Sequence, residues 1–285
     1  MPDPRPHRIH AVAPPQETPL KQRLGAATLL WSIGPVRKAV VLICLALLWE
    51  GYARWQDNPL LFPTLTETLQ AWVAGVLNGR ILMATWYSIQ VLLQGYLAGM
   101  LFAALFTAFA SATRIGSDFL ETLTAMFNPL PSIALLPLAM IWFGLGEGSI
   151  VFVLIHAVLW AVALNTHAGF RSVSPTWRMV GQNYGLSPLA YVLRILIPGA
   201  FPSILTGLKI GWAFAWRTLI AAELVFGASS GQGGLGWYIF QHKNMLDVPN
   251  VFAGLLTVIL FGLLVENLIF NTIEKKTVVR WGMQS

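Results

Sequence analysis

The sequence predicts an all-α polytopic membrane protein with six transmembrane helices. Three observations predict it. The first is composition. Hydrophobic residues make up 56% of the 285-residue chain and charged residues only 11%, against about 25% charged in a soluble domain. A water-facing surface cannot be built from that supply, and the mean hydropathy is +0.64. The second is a set of six separate apolar stretches, most near the roughly 20 residues a helix needs to cross a bilayer. The third is the placement of cations. With the N-terminus inside, fourteen of the eighteen Lys and Arg residues fall on the inside, only Arg54, Arg80 and Lys243 face out, and Arg217 lies within a span. That asymmetry is a strong positive-inside signal. The net charge of +6 never gathers into a basic stripe interleaved with aromatics, so no nucleic-acid partner is expected.

The elements follow in order. Residues 1–37 read as a cytoplasmic N-terminal tail, partly disordered, rich in Pro and His up to Pro19. The first apolar run starts late and no small-residue cleavage site follows it, so a signal peptide is not expected. Leu29 to Pro35 is short and interfacial. Residues 38–285 form the membrane domain. Its spans run from Ala39 to Ala53, between Arg80 and Arg114, and from Leu123 to Phe143. The others run from Ile150 to Phe170, from Ile204 to Phe226 and from Val251 to Phe270. In the first outside loop, Thr64 and Glu67 have the spacing of a helix capping box. Asn128-Pro129 and Pro131 break or bend the third span, because each proline removes a helix hydrogen bond. The single cysteine, Cys44, permits no internal disulfide.

The loop of about 172–200, between spans four and five, is the longest inside connection between spans. Ser174-Pro175 and Ser187-Pro188 each place a cap residue before a proline suited to a first helical turn. Gly185 ends the first of these helices, where a left-handed residue is cheap, and Pro198 is expected to stop the second. The loop therefore reads as two helices joined by a turn.

Within it stands Met179-Val180-Gly181-Gln182-Asn183-Tyr184-Gly185, followed after nine residues by Ile195-Leu196-Ile197-Pro198. This resembles the EAA loop of ABC importer permeases, in which E-A-A is followed by three residues, G, nine residues and I-x-L-P. Gly185, Ile195 and Pro198 match in register, whereas Met179, Val180 and Gly181 stand in place of E-A-A itself. The stretch from Leu136 to Glu147, Asn165-Thr166, Gly169 to Val173, and Ala222-Glu223 through Gly236 are similar to the nitrate/sulfonate/taurine subfamily. The resemblance covers roughly residues 38–282 and implies the type I importer permease fold in a bacterial inner membrane, with both termini cytoplasmic. It implies a homodimeric pore surrounded by lipid. A coupling helix at about Pro175 to Tyr184 docks on a separate ATPase dimer, and a periplasmic binding protein delivers a small anion. Arg178, Met179, Val180, Gly181, Gly185, Ile195 and Pro198 are then the ATPase-coupling residues. No G-x-x-x-x-G-K-[ST] occurs, so ATP and Mg belong to the partner and no cofactor is expected in this chain.

Charge inside a bilayer is costly, and marks a pair or a functional site. Arg217, beside Trp216, is about halfway along span five. A guanidinium there is either clamped to another span or presented to an anion, whose oxygens match its donors two at a time. With Asn128 and Glu223 these residues are the substrate-path candidates, although a structural pairing is the plainer role for Glu223, as for Glu50 and Glu266. Gly231 to Gly236 spells G-x-G-x-x-G, but lies in an outside loop with no strand before it, which argues against a dinucleotide site. Gly95-x-x-x-Gly99 and Gly207-x-x-x-Gly211 suit close helix packing, within the chain or across a dimer. His156 and His167 are eleven apart on span four, too far for a metal pair. An ion-driven secondary transporter is the alternative function, and an intramembrane enzyme a more distant one.

Overall fold

The computed structural model describes residues 33–226 and 233–283, so most of the expected N-terminal tail lies outside the described residues. All regular structure among them is helical. The chain divides into two units, 1–49 and 50–285. The described part of the first is the opening of helix α1 (Gly34–Gln56), which carries the first apolar stretch.

The second unit begins with a chain of caps. The Glu50 carboxylate accepts from Arg54 one turn later, at 2.8 Å, and from the backbone N–H and hydroxyl of Thr66. Thr66 opens α2 (Leu65–Leu77), where the expected capping box is formed: Glu67 N–H donates to Thr64 Oγ1 and Thr64 N–H donates to Glu67. Gly79, at φ +79°, then turns the chain into α3 (Arg80–Ala112).

The core is organised around α6 (Glu147–Ser172), which packs against α3 on one side and α9 (Ile197–Phe226) on the other. Both small-residue repeats serve these two contacts. A Cβ on Gly99 would lie 2.7 Å from Cβ of Val158, and one on Gly95 would strike Leu154. A Cβ on Gly207 would lie 2.8 Å from that of Asn165, and one on Gly211 would crowd Val162. The glycines thus let two helices approach α6 closely, which is how membrane helices gain dispersion contact without a hydrophobic driving force.

The third predicted span is divided. Helix α4 (Arg114–Phe127) is followed by Asn128-Pro129, a 3₁₀ turn at Ser132–Leu135 and α5 (Leu136–Phe143), the two arms bent by 88°. Four helices among the described residues are long and apolar enough to cross a membrane, and the bent pair makes a fifth if it is one span.

Between α6 and α9 lie α7 (Pro175–Asn183) and α8 (Pro188–Tyr191). One expectation here is corrected. Pro198 does not stop a helix: α8 runs through a π segment at Val192–Leu196 into α9 without a break. In the π segment Ile197 N–H reaches back five residues to Val192 O. Widening the turn just before Pro198 shifts the hydrogen-bond register, so the missing proline donor is tolerated instead of ending the helix. Beyond α9, α10 (Leu235–Asn244) leads to α11 (Val248–Leu264), which Trp72 of α2 grips through a 3.1 Å bond to Thr257.

Candidate functional site

The break at Asn128–Pro131 builds a cavity. Pro129 and Pro131 have no N–H to continue α4, so the chain leaves its helix and turns across α6 and α9. A cavity of about 340 Å³ opens there, lined by Asn128, Ser132, His156, Trp160, Arg217 and Thr218 among others. Ser132 Oγ lies 3.1 Å from His156 Nδ1, while His156 Nε2 is buried without a partner among the described residues. Trp160 stacks on Phe127 at 5.4 Å and walls one side. Arg217 is exposed and makes no hydrogen bond or ion pair among the described residues. It also borders a second cavity, of about 350 Å³, with Lys209 and Glu266. Asn128 and Arg217, 89 positions apart in sequence, therefore meet at one cavity, whose lining is otherwise mostly apolar.

Trp216 and Glu223 do not line the Asn128 cavity, although Trp216 lines the second cavity with Arg217. Trp216 is buried, donates from Nε1 to Val258 O at 3.3 Å and packs on Phe261, so it joins α9 to α11. Glu223 is 3% exposed. Its carboxyl accepts from the Ser88 hydroxyl and from Gly236 N–H, both at 2.8 Å, and Ser88 Oγ in turn accepts from Leu235 N–H. A Cβ on Gly234 would collide with the Glu223 carboxyl and the Ser88 hydroxyl. The described glycines of the G-x-G-x-x-G stretch thus bring the Gly236 N–H at the start of α10 onto an internal carboxyl, where a helix N-terminus favours negative charge. Gly231 and Gln232 lie outside the described residues.

The loop between α6 and α9 presents a second surface. Ser174 and Ser187 cap α7 and α8 as expected, each accepting from the N–H three residues on. Gly185 has φ +60°, with its N–H on Gln182 O and the Leu186 N–H on Gly181 O. This is a Schellman turn, and the left-handed residue has to be small. Gly181 is a point of contact: a Cβ there would lie 2.7 Å from the Tyr191 ring and 3.1 Å from Ile195. Ile195 and Tyr191 pack with Phe170 and Val173, and Pro198 is half-buried nearby. Arg178 turns inward, donating to Val173 O at 3.1 Å and Phe170 O at 2.5 Å, so it caps the end of α6. Met179, Val180, Trp177 and Tyr184 point out, with Met179 53% and Tyr184 81% exposed.

Residues 61–276 match the family described as binding-protein-dependent transport system inner membrane component. The chain belongs to this family. It is a permease subunit of an ATP-driven importer, with ATP hydrolysis carried by a separate chain. A putative ABC transporter permease of Methanocaldococcus jannaschii is 28% identical over 223 residues, 77% of this chain and 82% of that one. The taurine transport system permease protein of Escherichia coli is 35% identical over 147 residues, 52% of each chain. The nitrate import permease protein of Synechocystis is 24% identical over 261 residues, covering 87% of this permease and 92% of the relative.

Sequence reasoning about the permease did not link Ser132, His156 and Thr218 to Arg217. The proline break was the available signal, since it forces polar backbone and small polar side chains toward a space that is not lipid. Among the described residues no cluster of His, Cys, Asp or Glu could hold a metal ion.

Proposed function

We propose that this permease forms a homodimeric pore of six crossings per chain, α1 being the first and the bent α4–α5 pair the third. Through it passes a small anion of the sulfonate, taurine or nitrate class, delivered by a periplasmic binding protein. The observation that carries this reading is Arg217: a guanidinium within a candidate span, with no partner among the described residues, at a cavity of mixed polar and apolar lining made by the Asn128–Pro131 break. An uncompensated charge at membrane depth faces water or an anion. The taurine and nitrate permeases among the relatives support the same substrate class. Import of an anion into a negative interior is opposed by about 2.3 kcal/mol per charge per 100 mV, which ATP hydrolysis covers.

The exposed apolar face of α7 is the coupling surface, seated in a groove of the ATPase, with both termini on that cytoplasmic side. The loop's inward residues hold that face in place and its outward ones make the contact. The test is uptake into proteoliposomes containing permease, ATPase and binding protein. Arg217→Gln is expected to lower uptake at least about tenfold, the worth of one charged hydrogen bond, while the ATPase still co-purifies. Arg217→Lys keeps part of the uptake. Normal uptake in Arg217→Gln removes Arg217 from the path, and loss of the ATPase in that variant assigns Arg217 to assembly.

A further inference from the structure

A second basic space lies at the opposite end of α4 from the proline break. The corner between α3 and α4 is tight: a Cβ on Gly116 would strike Phe109 O. Thr113 caps α4, accepting from Gly116 N–H at 2.9 Å. The first two N–H groups of α4, on Arg114 and Ile115, have no acceptor among the described residues. This corner, the end of α6 and the start of the loop enclose a cavity of about 410 Å³. Arg114, Arg171 and Arg178 line it, with Ser117, His167 and Tyr191, and no acidic side chain is among its lining residues.

The three guanidiniums are not equally occupied. Arg171 is paired with Glu121 at 2.6 Å, and Arg178 caps α6. Arg114 is exposed and makes no hydrogen bond or ion pair among the described residues. His167 is a second, independent sign. It is 6% exposed, with Nε2 at 3.0 Å from Ser117 Oγ and 3.8 Å from the Glu121 carboxylate, and Nδ1 buried with no partner among the described residues. A buried polar atom left unpaired is costly and uncommon. An unused cation and two free N–H groups at the start of a fourteen-residue helix, on one cavity lined by three guanidiniums, share one complement, a group with several anionic oxygens.

We propose that this corner binds a phosphate-type oxyanion, supplied either by the headgroup of an anionic lipid or by a free ion. Both sources offer the same chemistry. Arg114 takes two oxygens through its fork, and the α4 N-terminus takes a third. The site lies beside the joint of α6 and α7 and is separate from the Asn128–Arg217 cavity, so it stands or falls independently of the transport reading.

The test uses the full-length permease in nanodiscs. In phosphatidylcholine alone, inorganic phosphate is titrated and the thermal unfolding midpoint followed. In mixed discs, phosphatidylglycerol retained per chain is counted by native mass spectrometry. Binding in the first arm identifies a free ion, and retention only in the second identifies lipid. In either arm, Arg114→Gln is expected to weaken binding about tenfold, as for one lost charged hydrogen bond. Arg114→Lys should recover part of it, and Lys276→Gln, outside the cavity, should change nothing. The proposal is overturned if neither probe binds the unmodified chain, or if Arg114→Gln binds both as well as the unmodified chain does.

Discussion

Glu223 shows how a carboxyl can sit inside this permease without being a transport residue. Each of its bonds answers a group that would otherwise be buried and unpaired: the Ser88 hydroxyl on α3 and the Gly236 N–H on α10. Glu223→Leu leaves the Ser88 O–H and the Gly236 N–H without their acceptor, at about 1–3 kcal/mol for each such group. The unfolding midpoint of the purified chain should fall clearly in Glu223→Leu and less in Glu223→Gln, which keeps an acceptor oxygen. Equal midpoints in the two variants would count against the clasp. Gly185 makes a different demand. Nothing lies within 4 Å of a Cβ there, so the constraint is its φ of +60° alone. A β-branched residue in that region costs roughly 1–2 kcal/mol. Gly185→Val should insert normally but uncouple ATP hydrolysis from uptake, or fail to hold the ATPase. Gly185 was legible in the sequence because helix ends select glycine. The role of Gly181 was not, because the Tyr191 ring it accommodates belongs to the next helix and only the folded turn brings them together.

At the scale of elements, the same residue type had two outcomes. Pro129 and Pro131 separate two helices bent by 88°, whereas Pro198 sits inside a candidate span. Proline chemistry is identical in each case. What differs is the π segment at Val192–Leu196, a hydrogen-bond register that no residue pattern announces. Serine-proline starts, by contrast, are local signals, and both were readable. The loop helix α7 has an inward face made by Gly181 and Arg178 and an outward one made by Trp177, Met179 and Tyr184. If the outward face is packed against the ATPase, Met179→Ala should reduce co-purified ATPase more than Met179→Leu, which restores volume. Identical yields would argue against packing at this position. Arg178→Gln should also lower the yield, although Arg178 points inward, because it removes the cap that fixes α7 to α6. Adding salt should leave that loss unchanged, since the bonds it breaks lie within the chain.

For the second unit, α6 is the helix against which α3 and α9 are placed. The length of its apolar run identified it as a span, yet it could not reveal that both glycine repeats face it. Sequence spacing tells which residues share a helix face but not which neighbour that face meets. Gly99→Leu would drive a large side chain into Val158, and overpacking of that kind typically costs about 1–3 kcal/mol. The expected result is a lower unfolding midpoint in the isolated chain. A variant that unfolds normally but loses dimer cross-linking would place Gly99 at the subunit interface instead.

The bonding of α7 to α6 has a mechanical consequence. Two Arg178 bonds, a Schellman turn and the Gly181–Tyr191 contact leave little slack between the loop and the transmembrane bundle. A compliant joint would absorb part of any displacement applied to it, as a spring does. A stiff one passes displacement on nearly undiminished; if α7 is the surface the ATPase drives, its stroke and the excursion of α6 should be of similar size. Efficiency in such a coupling depends less on how tightly α7 is gripped than on how little it deforms.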